Sequence, residues 1–232
     1  MIIVNLNKMK IVFISDTHGK HEYLTSKGMG NILGSGDILV HCGDISNMGR
    51  SHEIKEFLDW FSNTPFTHKI FIAGNHDFGF EYADTIAPEY IEKGVHYLFD
   101  SSVEIDGIKF YGSPWQPEFY DWAFNLPRGE KLAEKWAKIP GNTDILITHG
   151  PAFRMLDHTI QGQMVGCEDL FNRIMEVQPK IHACGHIHWA YGQKSFNDVD
   201  FINASVLNER YEHENKPIVV NFDENTKLFD YL

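Results

Sequence analysis

Five times along this chain an apolar run stops at a turn built from glycine, aspartate, histidine or asparagine. The clearest case is Ile70–Phe78, IFIAGNHDF, where four apolar residues lead into Gly74 and then Asn75, His76 and Asp77. An apolar run bounded by glycine predicts a buried strand that ends in a tight turn. The turn sets an amide oxygen, an imidazole and a carboxylate at the strand's carboxyl end, where ligands gather in open α/β sheets. The pattern recurs as KIVFIS before Asp16-Thr17-His18-Gly19, DILVHC before Gly43-Asp44, DILIT before His149-Gly150-Pro151, and KIHAC before Gly185-His186-Ile187-His188. Each turn alone has a structural explanation: Asp16 as a helix cap, Asp44 as a turn residue, His149 as a core histidine. Five in succession, each after a β run, point to a shared site.

Between these turns the chain alternates strand and helix. SHEIKEFLDWF (51–61) carries apolar residues at 54, 57, 58 and 61, the stripe of an amphipathic helix with Ser51 as its N-cap. Strand, helix, strand in this order predicts right-handed parallel crossovers. A short helix and loop are expected over 20–35, a weaker helix over 87–93, and further helices over 130–138 and 168–176. SSVEIDGIKFYGS (101–113) predicts a hairpin turning at Asp106-Gly107, which changes the architecture to partly antiparallel. KSFNDVDFINAS and PIVVNF predict strands that close a second sheet. No linker or fixed-period repeat interrupts the chain, so residues 1–232 are expected to form a single domain.

The aromatic segment 112–129 holds Trp115, Phe119, Tyr120, Trp122 and Phe124. These rings either stack a nucleobase or pack as a lid on the core, with Trp115, Phe119 and Phe124 as the expected pocket walls. The net charge of −12, with no Lys/Arg cluster, argues against a protein that coats long nucleic acid. A small anionic substrate fits, because bound cations reverse the local charge. Cys42, Cys167 and Cys184 form no CxxC pair and suit a reducing compartment. MIIVNLNKMK lacks a basic leader region, and no later run reaches the ~20 apolar residues of a membrane span. A soluble cytoplasmic protein without a membrane partner is the expectation.

The pooled donors are imidazole, carboxylate and amide oxygen, without cysteine, which favours Mn, Fe or Zn over Ca. Their number suits two ions that share one carboxylate. The order D-x-H, GD, GNH[DE], H and GHxH across residues 16–188 resembles the calcineurin-like metallophosphoesterase superfamily. GSPWQPEF, FNLPRG, DILITHGP, CGHIHWAYG and FINAS are similar to its metallophosphoesterase-domain (MPPED-like) branch.

The resemblance implies a four-layer αββα sandwich of two mixed β-sheets flanked by helices. It implies that Asp16, His18 and His188 bind one metal, that Asn75, His149 and His186 bind a second, and that Asp44 bridges both. Mn is the ion expected to support activity in vitro. His76 would stand beside the scissile phosphate, with Asp77 orienting it. The implied activity is a phosphodiesterase acting on small, including cyclic, nucleotide diesters through metal-activated water. A phosphomonoesterase, either protein phosphatase or nucleotidase, uses the same motifs. A metal-binding interaction scaffold is the non-enzymatic alternative, and it predicts a missing ligand where none is missing.

Overall fold

The computed structural model describes residues 8–26, 31–83, 85–223, 226 and 228–231. The leader reading at the N-terminus rests largely on residues 1–7, which lie outside this set, as do residues 27–30 of the expected helix and loop. The chain begins with strands β1 (Lys8–Ile14) and β2 (Gly36–His41), separated by a 3-10 turn at His21–Thr25. Helix α1 (Ser51–Ser62), strand β3 (Phe66–Phe71), the single turn α2 (Pro88–Ile91) and strand β4 (Val95–Tyr97) follow. Next come the hairpin strands β5 (Ser101–Ile105) and β6 (Ile108–Ser113) and the two-residue strands β7 (Gln116–Pro117) and β8 (Asn125–Leu126). Helix α3 (Glu130–Trp136), strand β9 (Ile145–Thr148) and helix α4 (Glu168–Val177) lead to β10 (Ile181–Cys184). Strands β11 (Gly192–Phe196), β12 (Val199–Asn203), β13 (Ile218–Asp223) and β14 (Leu228–Tyr231) complete the order.

Two mixed six-stranded sheets result, in the orders β14-β13-β1-β2-β3-β4 and β11-β12-β10-β9-β6-β5. Alternation along the strands decides the layers. On β1, Ile11 and Phe13 join Val40 and Ile70 in a core shared with Phe110, Ile145, Ile181 and Ile202 of the other sheet. Val12 and Ile14 face the opposite way, onto Phe57 and Phe61 of α1. Leu146 and Phe201 likewise turn outward onto Leu132, Trp136, Leu170 and Ile174 of α3 and α4. Both sheets are thus covered on both faces, the four-layer αββα arrangement expected of buried parallel strands.

Local signals account for most boundaries, and the exceptions have physical causes. Helix α1 is capped by Arg50 rather than Ser51. Glu53, three residues beyond Arg50, accepts the Arg50 N–H at 2.9 Å and so supplies the acid that a count from Ser51 misses. Helix α2 stops after one turn because Gly94, at φ +78, turns the chain into β4. Among the described residues no helix is long and apolar enough to cross a membrane.

One core group gives the fold an acid limit. His182 on β10 is fully buried, with Nε2 2.8 Å from the Thr148 hydroxyl. That hydroxyl donates to the Gly150 carbonyl, so it accepts from Nε2. Nδ1 is buried without a partner, and charging the ring would place an unsatisfied N–H there. Burial accordingly pushes His182 down to about 3 from 6.5. A lowered folded value means that the unfolded chain binds the proton first. Stability is therefore complete above about 6.5 and falls as pH drops towards 3. At about pH 5 His182 alone should cost about 2 kcal/mol. Urea melts of the chain and of His182→Gln at neutral pH and about pH 5 check this, because the variant should lose that share of the pH dependence.

Candidate metal centre

The five turns meet at the carboxyl ends of β1, β2, β3, β9 and β10, so both sheets contribute to one site. Backbone hydrogen bonds lace the turns together: Asp16 N–H to the Gly43 carbonyl, His18 N–H to the Asp44 carbonyl, and Gly185 N–H to the His149 carbonyl, each at 3.0 Å. The sharp turning is done by the polar residues themselves. Asp16, His18, Asp44 and His186 have φ values of +56°, +44°, +55° and +68°, a strained region for side-chain-bearing residues that recurs at functional sites. Gly74 and Gly185 serve a different need. A Cβ at Gly74 would lie 2.3 Å from Asp44 Oδ1, and one at Gly185 would lie 2.2 Å from Asp16 Oδ2. Only glycine lets the backbone pass this close to the carboxylates.

Three clusters form, with the potential ligand atoms of each within 4.8 Å of one another: Asp16, His18 and His188; Asp44, His149 and His186; and His18, Asp44 and His76. Asp44 Oδ2 lies 3.3 Å from His149 Nε2 and 3.6 Å from His18 Nε2, and so stands between the first two clusters. His188 Nε2 is 3.4 Å from Asp16 Oδ1. Asn75 Oδ1 is 3.0 Å from His149 Nε2. All seven residues expected as ligands are therefore brought together, in or beside the clusters.

The donor set fits cations. The Nδ1 atoms of His149 and His188 donate to the carbonyls of Cys42 and Asn208, each at 2.9 Å, which leaves both Nε2 atoms facing carboxylate oxygens. A neutral Nε2 has only a lone pair to offer there, so acceptor faces acceptor unless a proton or a metal ion lies between. Both ring nitrogens of His18 are buried without a hydrogen-bond partner. Electrostatics agree. Burial opposes charge on His149, but Asp44 overrides it and lifts the imidazole to about 9. Burial is likewise overcome at His188 by Asp16, again to about 9. His18 and His186 lie among fewer compensating contacts, and burial pushes them to about 4 and about 3, which keeps them neutral. Despite burial, Asp16 is held well below the usual carboxylate range by its histidine neighbours, with His188 foremost.

His76 lies beside these clusters, with its ring centroid 4.6 Å from that of His18 and its backbone N–H bonded to Asp44 Oδ1 at 2.9 Å. The expectation that Asp77 orients it needs correcting. The Asp77 oxygens accept from the backbone N–H groups of Ile45, Ser46 and Gly74 and from the Ser46 hydroxyl, at 2.6–3.1 Å. His76 is instead held by donation from Nδ1 to the Asn47 carbonyl at 2.8 Å and by Trp122, whose ring lies 4.2 Å away. Adjacency in sequence put Asp77 next to His76, but the 45–47 turn had more donors to satisfy. Asp77→Asn should therefore destabilise the fold by about 2 kcal/mol, because an amide nitrogen at either oxygen's position faces at least one backbone N–H, donor against donor. Denaturant melts give the stability change.

A cavity of ≈ 490 Å³ opens over the clusters, lined further by Phe119, Tyr120, Trp122, Arg128 and Tyr211. Of the three rings expected as walls, only Phe119 lines it. Phe124 is fully buried, and Trp115 packs on the core while its indole N–H donates to Asp100 at 3.1 Å. Trp122 and Tyr120 take their places. Tyr211, 4.8 Å from the His18 ring, had no local sequence signal. The Asn208 side chain accepts from Arg210 N–H and Glu212 N–H and shapes the loop that carries this tyrosine.

Comparison with known proteins gives the family. The family described as calcineurin-like phosphoesterase matches residues 9–190. The human protein named metallophosphoesterase domain-containing protein 1 is 40% identical over 235 residues, covering 91% of this chain and 70% of that protein, and its mouse counterpart matches equally. The crystal structure of phosphopantetheinyl hydrolase from Mycobacterium tuberculosis superposes with a TM-score of 0.57 at 17% identity, covering 89% of this chain and 92% of that one, a likeness of fold. The chain belongs to the calcineurin-like phosphoesterase family.

Proposed function

We propose that this chain, acting over residues 1–232 as one domain, is a dinuclear metal-dependent phosphodiesterase that hydrolyses small nucleotide-type diesters. Asp16, His18 and His188 would hold the first ion, Asn75, His149 and His186 the second, and Asp44 would serve both. When bound, two divalent ions (Mn, Fe or Zn) withdraw charge from the phosphate and acidify water to supply the nucleophile. The chain's own residues then position and exclude. His76 donates from Nδ1 to the Asn47 carbonyl and, as the imidazolium, would offer its Nε2–H to the leaving oxygen and end as the neutral ring. Phe119, Tyr120 and Trp122 give the organic group of the substrate an apolar wall.

One observation carries the preference for a diester. Arg128 is the single Lys or Arg among the described residues lining the cavity, and its terminal nitrogens donate to the Val165 and Gly166 carbonyls at 2.6 and 2.7 Å. A monoester dianion gains more than a singly charged diester from cationic side chains that reach the phosphate, and a guanidinium already engaged by two carbonyls suits the diester. The test is hydrolysis of bis(p-nitrophenyl) phosphate against p-nitrophenyl phosphate after chelation and after Mn²⁺ is restored. Metal-dependent preference for the diester is the expected outcome. Preference for the monoester would move the chain to the phosphatases with the same site. Tight metal binding without turnover of either ester would favour the scaffold reading.

A further inference from the structure

The FINAS segment, Phe201–Ser205, resembles its counterpart in the MPPED-like branch yet supplies no ligand in the reading above. Asn203 ends β12, pairs with Cys184 of β10, and lies two residues before Ser205, which bridges to Ser15 at the end of β1. The segment therefore ties the second sheet to the turn that carries Asp16. Asn203 and Ser205 are both fully buried. The Ser205 hydroxyl is 2.8 Å from Asp16 Oδ2 and also 2.8 Å from Asn203 Oδ1. Its single proton goes to the charged acceptor, the carboxylate. Asn203 is oriented independently, because its amide nitrogen donates to the Ile187 carbonyl at 2.8 Å and its oxygen accepts the Ser205 N–H at 3.1 Å.

The consequence lies in the two oxygens of Asp16. The His186 N–H reaches both oxygens, Oδ1 at 3.0 Å and Oδ2 at 3.1 Å, but only Oδ2 takes the Ser205 hydroxyl, and a Cβ at Gly185 would lie 2.2 Å from it, so this oxygen is turned into the protein. Oδ1 is the oxygen that faces His188 Nε2. We propose that Ser205, oriented by Asn203, is a positioning residue for the first metal: it fixes Asp16 as a ligand through Oδ1 alone and so sets the affinity of that ion separately from the second. Asn203 meanwhile holds the carbonyl of Ile187, between His186 and His188, and keeps the GHIH turn in register with Asp16. The inference rests on the dinuclear reading proposed above.

The test is calorimetric titration of the chelator-treated full chain with Mn²⁺. The two binding steps are assigned by His188→Ala, which weakens the first site, and His149→Ala, which weakens the second. Ser205→Ala should weaken the His188-dependent step about 10–100-fold and leave the other step in place, as loss of a hydrogen bond behind a ligand does elsewhere. Ser205→Thr, which keeps the hydroxyl, should restore most of that affinity. If Ser205→Ala does not fold, Ser205→Cys, which keeps the bulk but donates weakly, is read in the same way. Equal weakening of both steps with a lowered melting temperature of the metal-free chain would overturn the inference in favour of a merely structural role. Unchanged affinities would overturn it outright. Failure of the unmodified chain to take up Mn²⁺ would instead sink the dinuclear reading itself.

Discussion

Asp44→Ala should release both metal ions and reduce hydrolysis by about 10³-fold or more, since ion-based charge stabilisation is worth several kcal/mol. The magnitude follows from position. Asp44 Oδ2 stands 3.3 Å from His149 Nε2 and 3.6 Å from His18 Nε2, so one carboxylate faces a ligand of each proposed ion. The other oxygen accepts the His76 N–H at 2.9 Å, which ties the GNHD turn to the same carboxylate. Removing it leaves His149 and His18 without the charge that balances a cation, and ions bound near one another repel without a shared anion. Metal analysis after dialysis should find less than one ion per chain in Asp44→Ala. His186→Ala, by contrast, should retain the ion proposed for Asp16, His18 and His188, because its side chain belongs to the other cluster, with Asp44 and His149. If Asp44→Ala keeps both ions, the shared-carboxylate reading is wrong.

The residues that gather at the site were legible because each is announced locally. A β run followed by Asp, Asn or His is a statement about neighbours in sequence, and parallel strands deliver all such ends to one side of a sheet. What was not legible depends on contacts between distant segments. Besides Gly74 in its own turn, the partners of Asp77 are donors from Ile45 and Ser46, some thirty residues earlier, and nothing in NHD announces them. Trp115 and Trp122 lie in one aromatic stretch, but only the fold decides that the first ring packs between core and Asp100 while the second covers His76. Strand β4 has three residues, too few for alternation to register. Tyr211 reaches the site through a loop organised by Asn208, whose backbone carbonyl also anchors His188.

His76→Ala should reduce kcat by about 10²–10⁴-fold, the range for a lost proton donor, while both ions stay bound. His76 is held from three sides: its N–H by Asp44, its Nδ1 by the Asn47 carbonyl and its ring face by Trp122. A ring so fixed presents Nε2 in one direction, which suits a group that meets the leaving oxygen. The same geometry places His76 within ligand distance of His18 and Asp44, so a metal-binding role is the competing explanation. Metal analysis separates the two. Loss of turnover with both ions retained assigns His76 to the reacting phosphate, whereas loss of an ion would make it a ligand and leave proton transfer to water. The leaving group sharpens the comparison. A nitrophenolate departs without protonation, so His76→Ala should cost less on bis(p-nitrophenyl) phosphate than on an alkyl diester, whose alkoxide needs the proton. Equal losses on both would mean that His76 stabilises charge on the phosphoryl oxygens rather than supplying a proton to the departing one.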